Sequence, residues 1–564
     1  MDKKPKSFTN EIYAYSLENS IAYGKAIPGS VLPKLFQHGL KKEQIKDIML
    51  EVNKIVSEVN KISGPEKLKL FENYKKYLKD KKEQEKGLKD LQNHGKGMVF
   101  RLAPFPSGTL HIGNTKTYML NALYAEKYGG KILLVIDDTI GSEEKQIIKE
   151  AYKMIPEAFK WLKVKFEKPI YYKSNRLKIY YKYAEELIEK EKAYVCGCNQ
   201  EELRDNRVNM KECACRQFPV KIQRERWKLM FKSNPGQYTL RLKTNMQHPN
   251  PAFRDRVLCR ISDRKHPRVG NKYKVWPMLE FSWAIDDHLL GVTHIIRGKE
   301  LMIEGEMQKY IWDVFKWKYP ELIYVGLVKL SGVEGKLSKS KAQHEVKSGE
   351  FTGWDDPRTW SVQSLKRRGI LSESIREFVE EIGLNQNDIN VPIDFLYSIN
   401  RKKLDSKANR YFFVEDAVKI SVKNSPKINL VNVKLHPEKD KLKKLKVGKN
   451  IFISLKDFNK FNGKEVRLMH LFNIKLGKET EFSSLENKPN IPKVHWVSDD
   501  NVKVKIRMPN GLYVSGFAEN HVRNLKKGEI IQFERFGFCR YDSSHLSANI
   551  KHKEKEYEFW FAHD

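Results

Sequence analysis

The chain has 564 residues, with 105 Lys and Arg against 71 Asp and Glu, a formal charge of +34, and 40% hydrophobic and 11% aromatic residues. That apolar fraction excludes a wholly disordered chain, and the longest purely aliphatic run, Ile132–Ile136, falls far short of the roughly 20 residues that cross a bilayer. The charged opening MDKKPKSFTNEI lacks the apolar core of a secretory signal, and six cysteines are too few for a disulfide-stapled scaffold; a soluble, cytoplasmic protein of about four domains is expected. The positive surplus favours polyanions, nucleic acid first, because Lys and Arg that neutralise phosphates release counterions. A generally lysine-rich proteome is the bland alternative.

Residues 1 to about 95 read as helical. From Glu43 to Val59 the apolar residues Ile45, Ile48, Met49, Val52, Ile55, Val56 and Val59 return near every 3.6 positions. A Lys/Glu-rich run, Lys75 to Lys89, reads as a solvated face, and His94 to Gly97 as a joint. Met98 to Leu102 then reads as a buried strand, Pro104 to Gly113 as a Pro/Gly-rich loop, the segment from Asn114 as a helix ended by Gly129-Gly130, and Lys131 to Asp137 as a second strand. Parallel α/β sheets bind nucleotides at such a loop, where free helix N–H groups and the helix dipole attract phosphate.

Residues 143–195 read as helical, and Cys196 to about Arg268 as an insertion with short strands such as Gln237 to Leu242. The sheet is expected to resume near Met278, with a strand and its loop in Gly291 to Gly298. A helix follows over Ile375 to Ile382. Beyond about residue 412 short alternating segments, Val502 to Ile506 and Ile530 to Phe533 among them, are punctuated by Asn510-Gly511 and Lys527-Gly528 turns. Lys439 to Lys449 reads as a solvated loop, and Trp496 and Phe536 as core rather than base-stacking platforms.

Two elements carry the chemistry. His111-Ile112-Gly113-Asn114 closes the Pro-x-Pro-Ser-Gly-x-Leu loop and opens a helix, and Lys336-Leu337-Ser338-Lys339-Ser340 follows Gly332 and Gly335. Either alone could be a solvated turn; together, in this order, they resemble the H-I-G-H and K-M-S-K-S elements of class I aminoacyl-tRNA synthetases. The stretch Arg101 to Gly113 is similar to the opening of glutamyl- and glutaminyl-tRNA synthetases. So are Asp286 to Gly298, Gly353-Trp354-Asp355-Asp356-Pro357-Arg358, Lys366-Arg367-Arg368-Gly369, and the C-terminal His495 to Ser498 and Gln532 to Phe538. The similarity spans roughly residues 98–564, and the N-terminal extension suits the archaeal-type glutamyl enzymes. There are departures: Asn114 stands at the second histidine, Asp138-Thr139-Ile140-Gly141 replaces Asp-Thr-Asp/Asn-Pro, and Leu279 stands where the glutaminyl enzymes carry an aromatic.

The resemblance implies a multidomain fold. Residues 1–95 are a helical extension, and 96–345 an α/β Rossmann-type catalytic domain whose insertion, about 195–270, binds the acceptor stem. Residues 346–411 are a helical connector, and 412–564 a β-barrel anticodon-binding region. It implies ATP as substrate with Mg²⁺, glutamate, glutamate tRNA (glutamine tRNA being left open) and a monomer. His111, Lys336 and Lys339 are then catalytic. Pro104, Ser107, Gly108, His111, Gly113, Asn114, Lys336, Ser338 and Lys339 are expected around ATP. The chemistry asks for positioning and charge stabilisation, because the substrate carboxylate is itself the nucleophile at the α-phosphorus.

Three charged residues are expected to hold glutamate. Asp137 ends a strand and suits the ammonium. Arg101 can take a carboxylate bidentately, unless it serves a structural ion pair. Arg297 suits the side-chain carboxylate, unless it merely pairs with Glu300; in the family this position separates glutamyl from glutaminyl enzymes. Cys196-x-Cys198 and Cys213-x-Cys215 can close a tetrahedral thiolate site for zinc, the alternative being four reduced cysteines in a mobile arm. Cys259 and Cys539 read as packed small side chains. A glutaminyl enzyme and a non-catalytic tRNA-binding homologue are the rival readings; retention of His111, Lys336 and Lys339 argues against the second.

Overall fold

The computed structural model describes residues 7–79, 87–140, 146–333, 339–546 and 555–564. The chain divides into two compact units, one ending at Lys86 and the other beginning at Gly87. The first unit packs the helices Thr9–Tyr23, Pro28–Leu35, Ile45–Lys61 and Gly64–Tyr74. Along Ile45–Lys61 the residues Val52, Ile55, Val56 and Val59 fall on one face and are buried with Ile12, Leu17, Val31 and Leu35.

The second unit is built on a five-stranded parallel sheet in the spatial order Glu167–Tyr172, Lys131–Ile136, Val99–Leu102, His294–Gly298, Glu321–Val325. Parallel neighbours need a crossover, and the helix Ile112–Tyr128 supplies the first, stopping where Gly129 turns left-handed at φ 63°. The strand Lys131–Ile136 reads KILLVI, the near-continuous apolar run of a strand covered on both faces.

Two expectations for this region are corrected. Residues 143–195 are not wholly helical: between the helices Ala151–Trp161 and Leu177–Glu189 runs the edge strand Glu167–Tyr172. Its first half, Glu167-Lys168-Pro169, is exposed and carries two charges and a proline in place of an apolar alternation, so the 3.6-residue periodicity of the flanking helices hides it. The sheet also does not resume at Met278. The helix Leu279–Leu289 comes first, and it is buried all round from Glu280 to Asp287, so it lacks the polar stripe that reveals a helix.

The insertion is an antiparallel meander of Ala193–Cys196, Thr239–Leu242, Val257–Ile261 and Val275–Pro277, with Trp227 and Trp276 in its core. The connecting helices Val362–Arg368, Ser372–Ile382 and Ile393–Asp405 then lead to two strand-rich bodies. Arg368, fully buried, donates from Nε to the Phe561 carbonyl (3.0 Å) and from NH2 to the Ala562 carbonyl (2.8 Å), fixing the last strand to the connector. The Lys439–Lys449 stretch is largely solvated, as expected, but it is not a loop throughout. Leu442–Lys446 is a strand paired with Leu430–Lys434, and the Lys443 ammonium is buried 2.6 Å from Glu519. Trp496 is buried and donates to the Met469 carbonyl (2.9 Å), while Phe536 packs on Phe413 and Phe561.

Candidate active site

The loop after the first sheet strand and the start of the helix Ile112–Tyr128 form one face of the site. His111 is extended and caps that helix: its Nδ1 accepts the Gly113 N–H (3.1 Å), and Asn114 Oδ1 accepts the His111 N–H (3.0 Å). Asn114, at the family's second histidine, thus closes a capping box. Because Nδ1 accepts, the neutral His111 ring carries its proton on Nε2, a donor beside the helix N-terminus where phosphate is favoured. Pro104, Ser107 and Gly108 are buried in the loop, and the Pro104 carbonyl accepts the Asp137 N–H (3.1 Å). A Cβ on Gly108 would lie 2.4 Å from the Trp354 ring, so only glycine lets that indole cover the loop. The Gly353–Arg358 motif is drawn in further by backbone bonds from Ile112 N to the Trp360 carbonyl (3.1 Å) and from Val362 N to the Leu110 carbonyl (2.8 Å). Lys336 and Ser338 lie outside the described residues, and Lys339 begins the helix Lys339–Ser348.

Charged side chains crowd the carboxyl edge of the sheet, where open α/β sheets take ligands. Following the sheet from its edge, they are Lys173 just past the strand Glu167–Tyr172, Asp137 just past Lys131–Ile136, Arg101 in Val99–Leu102, and Arg297 in His294–Gly298. Asp137 is buried, lies 3.2 Å from Lys173 Nζ and accepts the Thr139 hydroxyl (3.2 Å). Its neighbour Asp138 binds away from the site, accepting the Ser174 N–H (2.8 Å), the Ser174 hydroxyl (2.7 Å) and the Tyr152 hydroxyl (2.9 Å). Arg101 gives Nε and NH2 to Asp287, the structural ion pair raised as its alternative role, so the bidentate edge expected for substrate is occupied by protein. Asp286 is held by Arg176 (2.8 Å) and the Tyr180 hydroxyl (2.6 Å).

Arg297 differs from these. It is buried, and its partners are neutral: NH1 donates to Gln308 Oε1 (2.6 Å) and NH2 to the Tyr324 hydroxyl (3.4 Å), while Nε has none. Glu300 is not its partner. Gln308 is fixed in turn by donating to Asp287 (3.0 Å). Burial, and then the nearby Arg101, press the Arg297 guanidinium below its usual pKa; burial also lowers that of Lys173, with Asp137 and Asp286 pulling the other way. The indole of Trp283 forms a floor beneath three cations, with Arg101 at 4.3 Å, Lys173 at 4.9 Å and Arg297 at 5.8 Å from the ring. Lys173, Trp283, Asp287, Gln308 and Tyr324 were not singled out from sequence. Asp287 lay inside a quoted motif, whereas nothing marks Lys173 among the tyrosines around it.

In the insertion, the sulfur atoms of Cys196, Cys198, Cys213 and Cys215 all lie within 4.8 Å of one another. Donors surround them. Arg226 NH1 reaches Cys215 (3.2 Å), the Gly197 N–H reaches Cys215 (3.4 Å), and Arg241 NH1 lies 3.7 and 3.8 Å from Cys196 and Cys213. The hydrogen bond with Cys196, aided by Tyr194 and Arg241, lowers the Cys213 thiol, while the same bond and burial push Cys196 up. Four convergent sulfurs with N–H and guanidinium donors fit a tetrahedral thiolate-bound zinc. Cys259 and Cys539 are buried singly.

The family described as tRNA synthetases class I (E and Q), catalytic domain, matches residues 98–406, and the two anticodon-binding domain families of the same branch match 408–491 and 493–542. The glutamate–tRNA ligase of Pyrococcus abyssi is 41% identical over 555 residues, covering 94% of this chain and 96% of that protein. Those of Methanocaldococcus jannaschii and Methanosphaera stadtmanae are 37% and 36% identical over 548 and 573 residues, covering 94% and 98% of this chain and 97% and 99% of theirs. The chain belongs to the class I tRNA synthetases of the glutamate and glutamine branch, and is an aminoacyl-tRNA ligase.

Proposed function

We propose that the chain is a glutamate–tRNA ligase that joins L-glutamate to ATP as glutamyl-adenylate and passes the glutamyl group to the 3′-terminal ribose of its tRNA. One observation carries the choice of amino acid. Around the pocket Lys173 is offset by Asp137, Arg101 by Asp287 and Arg176 by Asp286, while Arg297 has no ion pair of its own and feels Asp287 only from beyond Gln308. A buried charge without a counter-charge is costly, so the pocket favours a ligand that brings one net negative charge. Glutamate does, with one ammonium and two carboxylates; glutamine does not. Arg297 then takes the side-chain carboxylate, and Asp137 the ammonium. Since Asp287 occupies the bidentate edge of Arg101, that residue meets a carboxylate at most from its remaining N–H groups.

ATP lies along the loop formed by Pro104, Ser107 and Gly108 and the helix start at His111, Gly113 and Asn114. The His111 Nε2–H and the helix N-terminus face its phosphates, and Lys336, Ser338 and Lys339 come from the following loop. The α-carboxylate attacks the α-phosphorus and pyrophosphate leaves, so His111, Lys336 and Lys339 act by stabilising charge that builds up on the phosphates. A magnesium ion carried by the nucleotide would offset part of the phosphate charge that His111, Lys336 and Lys339 face. The Cys196, Cys198, Cys213 and Cys215 cluster holds zinc and stiffens the acceptor-binding insertion. That reduced cluster suits a cytoplasmic setting, and the chain acts as a monomer. The test is ATP–pyrophosphate exchange with purified tRNA. Exchange that needs glutamate, and falls by orders of magnitude in Lys339→Ala with tRNA affinity kept, is expected; no exchange with any amino acid would leave the non-catalytic homologue.

A further inference from the structure

Lys173 takes part in no step described above, yet it is as buried as any residue of the site. Its side chain is fully buried, with Nζ 3.2 Å from Asp137 Oδ1 and 2.9 Å from the Ser282 hydroxyl, and it lies over the Trp283 ring. Lysine ordinarily keeps its ammonium in water and buries only its stem. A buried Lys–Asp pair is also weak ground for stability, because desolvation consumes most of the attraction and an apolar pair of the same size does as well. The pair sits at the ends of two adjacent strands on the ligand-binding edge, and it engages the very carboxylate that is to receive the substrate ammonium. Lys173 and the Thr139 hydroxyl both bind Oδ1, so while the pair stays closed an incoming ammonium meets at most Oδ2, with the Lys173 charge beside it.

We propose that Asp137 and Lys173 are the two ends of a clamp for the α-amino-acid group, closed on each other in the free enzyme and opened by the substrate. An α-amino acid carries one positive and one negative group on a single carbon. Inserted between the two residues, it gives its ammonium to Asp137 and its α-carboxylate to Lys173, and every charge is paired before and after. Ser282 stays within reach of Nζ and steadies it on its new partner. Lys173 then holds one oxygen of the α-carboxylate and leaves the other to attack the α-phosphorus. Neighbouring strands are about 4.8 Å apart, so Arg297, two strands from Asp137, receives the far end of the same molecule.

The inference rests on the chain being a glutamate-activating ligase. Lys173→Met and Lys173→Gln, with wild type, are titrated by calorimetry in the presence of tRNA. The ligands are glutamate, glutarate (no ammonium) and 4-aminobutanoate (no α-carboxylate). Both variants are expected to bind glutamate and glutarate about tenfold or more weakly, the loss of one charge-assisted hydrogen bond, with 4-aminobutanoate bound as well as before or better and ATP unchanged. Glutamate binding that is unchanged or tighter overturns the clamp and makes Lys173 a mere competitor for Asp137. An equal loss of 4-aminobutanoate, or loss of tRNA affinity and folding in both variants, makes it structural and overturns it too. Wild-type protein that neither binds nor activates glutamate would instead defeat the ligase reading itself.

Discussion

Replacing Arg297 by cysteine removes the guanidinium whose partners are all neutral. A hydrogen bond from a charged donor to a carboxylate in a desolvated pocket is worth roughly 1.5–3 kcal/mol. Glutamate activation should therefore fall roughly ten- to a hundredfold in kcat/KM. The one guanidinium there without an ion pair is gone, which suits glutamine, whose use should be equal or slightly improved. Folding should suffer little. Arg297 is buried with an unpartnered Nε, and that relief offsets the partner lost by Gln308 and the space left behind. The assay is tRNA-dependent ATP–pyrophosphate exchange with each amino acid at saturating ATP, beside a thermal melt. An unchanged preference for glutamate over glutamine would refute the charge argument and move the determinant elsewhere, first to Arg101; an equal rise in the KM for ATP would take Arg297 out of the amino-acid pocket.

Three further outcomes are expected. A Cβ on Gly305 would stand 1.9 Å from the Tyr324 hydroxyl and 2.6 Å from Arg297 NH2. Gly305→Ala should accordingly raise the KM for glutamate with that for ATP kept, and adding Tyr324→Phe should recover part of the loss; no recovery would show that the damage lies elsewhere. Metal analysis should find about one zinc per chain, as a closed four-thiolate site requires, and Cys213→Ser should lose it while the catalytic sheet stays folded; four freely titrating thiols in a fully active, metal-free protein would exclude the site. Burial acts to raise the carboxyls of Asp356 and Asp542, but hydrogen bonds from Arg358 and Arg367 more than offset it and hold both below the ordinary value. The stability they add is present above about pH 3.9, the ordinary Asp pKa, and is lost as pH falls through the lower folded values. Asp356 also binds Arg507 (2.9 Å), so Asp356→Asn should weaken the seat of the C-terminal body at neutral pH and make acid unfolding, followed by tryptophan emission, less steep; identical acid curves would exclude these carboxyls from the transition.

Local pattern accounts for what the sequence made legible. The loop and helix from Pro104 to Tyr128 announce themselves by Pro, Gly and a capping position, and the helix Ile45–Lys61 by an apolar stripe. Elements buried on all sides, or exposed along half their length, carry no such period, which is why periodicity does not mark Leu279–Leu289 and Glu167–Tyr172. Lysine is read as solvated by default, so Lys443, paired with Glu519 between strands, and Lys173, paired with Asp137, were both invisible; each is buried because a distant acid faces it. The same holds for Arg101, whose partner Asp287 is 186 residues away. Motifs named the residues of the site, and the fold decided which of their charges were already spoken for.

Aminoacylation of purified glutamate tRNA and glutamine tRNA, each with glutamate and with glutamine, tests the central claim most directly. The account predicts that glutamate is esterified to glutamate tRNA and that glutamine is esterified to neither, because Arg297 is a buried cation with no ion pair of its own. Charging of glutamine by the wild-type enzyme at a rate equal to or above that of glutamate would contradict it.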